Sequence, residues 1–408
     1  MIDLKCINCE SLFDPDIIMH NCSKCNDLLE VQYDLNKISN NLDSNWRDKP
    51  LSVWKYEDFL PIGKDVERVT LREGGTRLHS SKKLSSFFGI DNLHIKNEGD
   101  NPTASFKDRG MTVAVSKAKQ LGAKIITCAS TGNTSASLAA YGARGGLKRI
   151  VLIPSGKVAY GKLSQAMICG AHVLQIDSNF DKCLEVVMEL SSKYEDIYLV
   201  NSINPFRIEG QKTIIFEIFE QLGHIPDWII VPVGNAGNVS AIWKGLSEFH
   251  QLGIIDKLPK LVGVQAEGSA PISTAFSEGK MEVNNVQKPE TLATAIRIGA
   301  PASWKKALRA IYDSQGLATT VSDKEILDGQ MNLAKLEGLF IEPASAAPIA
   351  ALKKLLRNGT ISSDEEVVCI ATGHGLKDPD IITKFVEKPT EVSSNIDEIQ
   401  KAINKTNF

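Results

Sequence analysis

The sequence predicts an α/β protein of two lobes, with mostly parallel sheets flanked by helices, preceded by a small segment held together by cysteines. Three observations carry that expectation. From about residue 107 onward, apolar runs of strand length alternate with segments of helical period. Runs such as Val151-Leu-Ile-Pro154 are apolar without interruption, as strands buried on both faces of a parallel sheet are. Cys6, Cys9, Cys22 and Cys25 stand in a Cys-x2-Cys-x12-Cys-x2-Cys pattern before the alternation begins. A chain of 408 residues exceeds one ordinary core and allows two or three domains.

The cysteine segment comes first. Two tight knuckles of that spacing present four thiolates to one tetrahedral zinc ion. Four protein ligands close the coordination sphere against water and substrate, so the expected metal is a structural zinc. Reduced cysteines in a small metal-free fold are the other reading. His20 is near enough to compete, but a full set of four cysteines leaves it a bystander. Residues 1–35 hold Lys5 and Lys24 against Asp3, Glu10, Asp14, Asp16, Asp27, Glu30 and Asp34, a balance that repels a phosphate backbone. Docking or stapling is therefore expected of the segment. Cys128, Cys169, Cys183 and Cys369 are scattered through apolar stretches and read as small core residues of a reducing compartment.

Along the main body, 111–121 reads as a helix, 124–129 as a buried strand and 135–144 as an Ala-rich helix. Strands at 149–154, 172–176 and 197–201 alternate with helices near 161–170 and 181–194. A second series follows: a helix from Arg207 to about Leu222, a strand at 228–233, a helix from Val239 and a strand at 261–265. Ser322 with Glu325 forms a capping box for a helix ending near Gly338, and 366–371 reads as a last strand. Ligands of open α/β sheets sit beyond the carboxyl ends of strands, so the segments directly after these strands are where chemistry is sought.

Composition narrows the function. With 43% hydrophobic and 23% charged residues and a formal charge of -3, the chain lacks the positive field that nucleic acid or anionic lipid would need. No apolar run of about 18 residues and no basic start with an apolar core behind it are present, so no membrane association and a cytoplasmic location are expected.

Five segments could carry chemistry. In Asn101-Pro-Thr-Ala-Ser-Phe-Lys107-Asp-Arg-Gly110 a polar turn sets a lysine before a helix. Such a lysine is commonly a solvated surface residue, or else a Schiff-base former whose pKa is lowered by burial or nearby positive charge. Ser130-Thr-Gly-Asn133-Thr134-Ser135 lies between strand and helix, where free N–H groups and the helix dipole suit a carboxylate; an ordinary N-capping turn is the alternative. Gly234-Asn-Ala-Gly-Asn238 makes a nest for a phosphate monoester, though it matches neither a Walker loop nor a dinucleotide fingerprint. Thr372-Gly-His-Gly-Leu-Lys-Asp378 follows a strand and could set a hydroxyl against a ring nitrogen. Asn201-Ser202 leading to Arg207 could hold a second phosphate.

Taken together, segments 98–110, 130–140, 232–238, 293–304, 342–347 and 372–378 closely resemble threonine synthases of the tryptophan-synthase-β-like pyridoxal-phosphate fold, fold type II, over about residues 70–385. The resemblance implies that Lys107 holds pyridoxal 5'-phosphate covalently and then shuttles protons. It implies that Asn133 bonds the cofactor's phenolic oxygen, while Ser130, Thr131 and Thr134 surround the substrate carboxylate. Gly234, Asn235, Ala236, Gly237 and Asn238 would cradle the cofactor phosphate, and Thr372 would face the pyridine nitrogen. Ser202, Arg207 and Asn235 would hold the substrate phosphate. The implied reaction converts O-phospho-L-homoserine and water to L-threonine and phosphate by γ-elimination and addition of water at Cβ. A paralogous activity, such as cysteate synthase acting on phosphoserine and sulfite or a hydroxyamino-acid dehydratase, is the alternative. The family pattern also implies a homodimer and a smaller lobe interrupting a larger one: a zinc ribbon at 1–35, a large cofactor-binding lobe at 36–106 and 203–390, a small lobe at 107–202 and a tail at 391–408. One departure is Ala104, where many relatives carry glycine; a methyl there is expected to be tolerated.

Overall fold

The computed structural model describes residues 2–41, 46–156, 160–383, 385–386 and 389–405. The rest of the expected segments, among them 42–45, 157–159 and 406–408, lies outside the described residues. The chain opens on three antiparallel strands in the order β2-β1-β3: β1 (Ile2–Cys6), β2 (Leu12–Phe13) and β3 (Leu29–Tyr33). Helix α1 (Leu35–Asn41) follows, and then β4 (Leu78–Ser80), α2 (Lys82–Phe88) and β5 (Asn92–Asn97).

Residues 107–199 build a four-stranded parallel sheet of order β8-β7-β6-β9. Its elements are α3 (Lys107–Gln120), β6 (Ile125–Ala129), α4 (Asn133–Arg144), β7 (Lys148–Pro154), α5 (Tyr160–Ile168), β8 (His172–Ile176), α6 (Phe180–Lys193) and β9 (Ile197–Leu199). The chain then passes through α7 (Pro205–Gln211), α8 (Thr213–Leu222), β10 (Trp228–Pro232), α9 (Gly237–Gln251), β11 (Lys260–Ala266), α10 (Pro271–Ser277), α11 (Trp304–Asp313), β12 (Leu317–Val321), α12 (Asp323–Glu337), α13 (Pro343–Arg357) and β13 (Glu366–Ala371). These strands join β5 and β4 in a six-stranded sheet, β12-β11-β10-β13-β5-β4, parallel except for the β4 edge. Residues from Asp378 onward form a separate unit with two helices, α14 (Pro379–Ile382) and α15 (Ile396–Lys405). No helix among the described residues is long and apolar enough to cross a membrane.

The α/β architecture expected from the alternation is the one observed, and its cause is visible in β10. Trp228 and Ile230 enter one core with Val262, Val264, Val367 and Cys369. Ile229 and Val231 enter the core on the opposite face with Leu261, Val368 and Ile370. The period-two alternation of a pleated strand thus feeds two helical layers, and in β10 neither face carries a charged residue, so the strand reads as an unbroken apolar run. The order also places a topological switch between β10 and β13: from β10 the chain builds outward to β11 and β12, while β13 turns back beside β5. The crevice beyond the carboxyl ends of such a pair is the ligand position of open α/β sheets.

Several expected boundaries shift. The helices expected at 111, 135 and 239 begin at Lys107, Asn133 and Gly237, two to four residues earlier. First-turn residues need no apolar period, because they face the ligand end of the sheet rather than the core. The single helix expected from Arg207 to Leu222 is two, meeting at Lys212, where the Ile215 amide bonds the Lys212 carbonyl three residues back instead of four. Its true start is Pro205, capped by Asn204, whose side chain accepts from the amides of Phe206 and Arg207 at 3.0 and 3.3 Å. That Asn-Pro pair is a readable start signal, overlooked in favour of apolar period.

Candidate active site

Three helices start at the crevice, and none of them has a side-chain cap. Phe106, Gly132 and Ala236 stand at the cap positions of α3, α4 and α9 and none accepts a bond through its side chain. In α3 the Asp108 and Arg109 amides already bond the Ser105 and Phe106 carbonyls, at 3.3 and 3.2 Å, and at each start the dipole presents its positive end. An anion is the natural complement to such an end.

Lys107 is the first residue of α3 rather than the residue before it. Its ammonium lies 4.1 Å from the centre of the Phe106 ring, and the Phe106 amide donates to the Thr372 carbonyl at 3.0 Å, which ties the lysine to the exit of β13. Burial of the amine, reinforced by the Arg207 guanidinium and opposed by Glu342, lowers its pKa to about 7. Arg207 is buried, with one bond from Nη1 to the Val200 carbonyl at 3.1 Å. Its Nε and Nη2 are buried without a partner. A buried guanidinium that lacks two of its bonds is costly unless a ligand completes them. Ser202 stands five residues before it in the same connection. Asn201 exchanges two bonds with the backbone of Ala129 (2.9 and 3.0 Å), which fixes that connection beside the exit of β6 where Ser130, Thr131 and Thr134 lie.

The loop Gly234 to Asn238 leaves β10 and enters α9. Ala236 sits at φ +66°, a left-handed position that costs a residue with a Cβ about 1 kcal/mol. A methyl on Gly234 would come within 3.0 Å of the Ala295 carbonyl, so the loop lies tight against 295–296. Asn235 is held by the backbone of Ala302 and Ser303. The Asn238 side chain is buried with neither its oxygen nor its nitrogen satisfied. Asn133 donates to both Glu342 oxygens, at 3.1 and 3.2 Å, while its own Oδ1 is buried and free of partners. Thr372 is buried, its hydroxyl 2.9 Å from that of Ser345.

Two of these partners lie in segment 342–347, which carries part of the resemblance, but the sequence assigns them no role. Glu342 and Ser345 lie in Glu-Pro-Ala-Ser-Ala-Ala, a stretch with no polar turn and no apolar period, though a buried glutamate just before a proline at the first helical position is a usable signal. Asp108, whose burial raises its pKa to about 6, accepts from the Thr103 amide and from Ser137 at 2.6 Å each and so ties the 101–106 turn to α4. Within that turn Ala104 takes φ +62°, a left-handed conformation that favours glycine.

The helices α3 and α7 cross at two glycines. A Cβ on Gly210 would lie 1.8 Å from the Arg109 carbonyl, and one on Gly110 would lie 2.7 Å from that of Arg207. This backbone-to-backbone approach brings Lys107 and Arg207 to one site. Beneath it, Arg109 bonds Glu98 and Glu217 with four contacts of 2.6–2.7 Å, and Lys96 meets Glu217 at 2.8 Å, a charge-balanced network with no exposure. Away from the crevice, the four N-terminal thiol sulfurs lie within 4.8 Å of one another. His20 is not among them: it packs edge-on against Tyr198, with both ring nitrogens unpartnered.

Residues 69–373 match the family model described as pyridoxal-phosphate dependent enzyme. The chain is 52% identical over 401 residues to a threonine synthase of Methanocaldococcus jannaschii, covering 98% of each. It is 53% identical over 404 residues to a threonine synthase of Methanosarcina acetivorans, covering 99% of each. Among solved structures, maize serine racemase superposes with a TM-score of 0.64 at 21% identity, covering 76% of this chain and 91% of the racemase. Threonine deaminase isoform 2 from Solanum lycopersicum superposes with a TM-score of 0.61 at 21% identity, covering 81% and 82%.

Proposed function

Because the chain belongs to the pyridoxal-phosphate dependent enzymes and, within them, to the threonine synthases, we propose that Lys107 carries the cofactor and that Ser202, Arg207 and Asn235 receive the phosphate of O-phospho-L-homoserine. The activity is that of a pyridoxal-phosphate-dependent lyase of the threonine synthase type. The observation that carries the substrate assignment is Arg207, a buried guanidinium with two unpartnered nitrogens beside a lysine amine of lowered pKa.

The residues present fit the cofactor. Asn238 and the uncapped start of α9 offer donors to a phosphate, Asn133 has a buried unpaired oxygen, and Thr372 offers a hydroxyl. When bound, the cofactor supplies an electron sink that lets a C–H bond next to the amino group break as a proton loss. The Lys107 amine, with a pKa near working pH, then has protons within its capacity to take and return. Arg207, with Ser202 and Asn235, holds the phosphate while its C–O bond breaks and stabilises the charge that leaves. Ser130, Thr131 and Thr134, at the head of α4, hold the substrate carboxylate, and the dipole of that helix favours it. Thr372 would offer the ring nitrogen a neutral hydroxyl, which does not compel a proton there as an aspartate would.

Phosphate release from O-phospho-L-homoserine, with threonine followed by chromatography and phosphoserine plus sulfite run alongside, tests the assignment. Equimolar phosphate and threonine support it. Turnover of phosphoserine and sulfite alone would retain the fold and cofactor and overturn the substrate. Release of ammonia from threonine would favour a dehydratase.

The four sulfurs also fit a single tetrahedral zinc in donor type and spacing. Metal analysis is expected to give about one zinc per chain, falling towards zero in Cys9→Ser and Cys25→Ser. Both of these cysteines are exposed, so their loss leaves packing intact. The proposed division between 36–106 with 203–390 and 107–202 has support in the two separate sheets, although residues from Asp378 onward fall in the C-terminal unit.

A further inference from the structure

The N-terminal ribbon grips the outer sides of the helices that start at the active site. Tyr33, the last residue of β3, donates to the buried Glu209 carboxylate of α7 at 2.7 Å. Lys244 of α9 bonds the Val31 carbonyl, Lys306 of α11 bonds the Leu29 carbonyl at 3.0 Å, and Lys305 pairs with Asp27. On the other side Asp16 accepts from Lys117 of α3 at 2.7 Å, and Lys117 also lies over the Phe206 ring, one residue from Arg207. The ribbon therefore touches the helices that begin at Lys107, at the Asn204 cap before Arg207, at Gly237, and just after Ser303, which holds Asn235.

The strongest of these links is the one to α7. Arg207 and Glu209 are two residues apart, about 200° around a helix, so one points into the site while the other points to the ribbon. Arg207 has a single bond to its own chain, and its aim is therefore set by the rotation of α7 about its axis. That rotation is fixed on the outer side by Glu209. Its carboxylate is shared between Tyr33 and Lys212 (2.6 Å), with Lys244 3.4 Å away, and the Tyr33 ring lies beneath both ammonium groups. On the inner side the glycine crossing seats α7 directly against the α3 backbone, while the Glu209 contacts hold the opposite side.

We propose that the ribbon is a positioning element for the substrate-phosphate site: Tyr33, through Glu209, holds α7 at the rotation that aims Arg207 at the phosphate. The inference rests on the assignment of Arg207 made above, and the experiment separates the two. In the holoenzyme the Gly234–Asn238 cradle is filled, so added inorganic phosphate reports the substrate's site alone. Calorimetric phosphate binding, KM and kcat are compared for the parent, Tyr33→Phe and Arg207→Leu. Tyr33→Phe keeps the ring, and Glu209 keeps Lys212, so no buried charge loses its partner and the variant folds. The expected result is a rise of about three- to tenfold in phosphate Kd and in KM, with kcat changed less than about twofold and the cofactor's visible spectrum unaltered. A Tyr33→Phe protein that loses thermal stability but keeps its phosphate Kd and KM would show a merely structural contact and overturn the proposal. If Arg207→Leu leaves phosphate binding unchanged, the Arg207 assignment itself falls, and the role of Tyr33 with it.

Discussion

Lys107→Ala is expected to lower threonine formation by at least about a thousandfold, since it removes both the attachment point of the cofactor and the amine that moves protons. Phosphate release from O-phospho-L-homoserine and the visible spectrum of the purified protein check the two losses together. The same residue sets the acid limb of the rate profile. Its amine is lowered to about 7 by burial and by Arg207, so below that pH it takes up a proton and cannot accept one from the substrate. kcat should therefore fall as pH drops through about 7. The Arg207→Leu variant, freed of the neighbouring positive charge, should move that limb to higher pH. A limb unchanged by that substitution would separate the two residues electrostatically.

Gly210→Ala is the second large effect, and it acts through packing. The added methyl would lie 1.8 Å from the Arg109 carbonyl and 2.9 Å from the Gly110 Cα, atoms of a helix backbone that cannot turn aside as a side chain could. The α3–α7 crossing must open, at a cost of about 3 kcal/mol in folding stability. Because Lys107 and Arg207 ride on the two helices, turnover falls with it. Gly89→Ala, at φ +73° with open space around it, is the control: it loses only conformational freedom and costs about 1 kcal/mol. Urea midpoints of the two variants decide between close approach and a general intolerance of alanine.

That crossing also shows where reading from sequence stops. The apolar strands β6 to β11 and β13 were legible as short apolar runs, and β13 was placed residue for residue at 366–371, whereas β5 and β12, interrupted by His94 and Lys96 or by Thr319 and Thr320, were not. Polar segments after strands were legible for the same reason, as interruptions: Gly234 to Asn238 and Thr372 follow the adjacent strands β10 and β13, Ser130 follows β6 of the other sheet, and Lys107 is linked to Thr372 by the Phe106 amide. Gly110 and Gly210 carry no such mark. Their pairing is fixed by a contact across one hundred residues of chain that local pattern does not encode. Glu342, though within a segment that carries the resemblance, shows no role in the sequence because its partner Asn133 lies 209 residues away. The early starts of α3, α4 and α9 were missed for a related reason. They lack the Ser, Thr or Asp cap by which a helix start is usually read, a rule that did identify Ser322 before α12, where the capping box is complete.

Those uncapped starts have a consequence for how the protein can change. A helix that begins without a cap forgoes about 1 kcal/mol that one polar residue would restore. Gly132, where an added Cβ meets nothing within 4 Å, is thus the position where a stabilising substitution is easiest to find, whereas Phe106 and Ala236 are core residues. Gly132→Ser would set an acceptor of the protein's own where a ligand's oxygen belongs, and the sturdier variant would be a poorer enzyme. Selection for heat resistance alone would therefore drift towards silence at this position, and only selection for product would hold it bare.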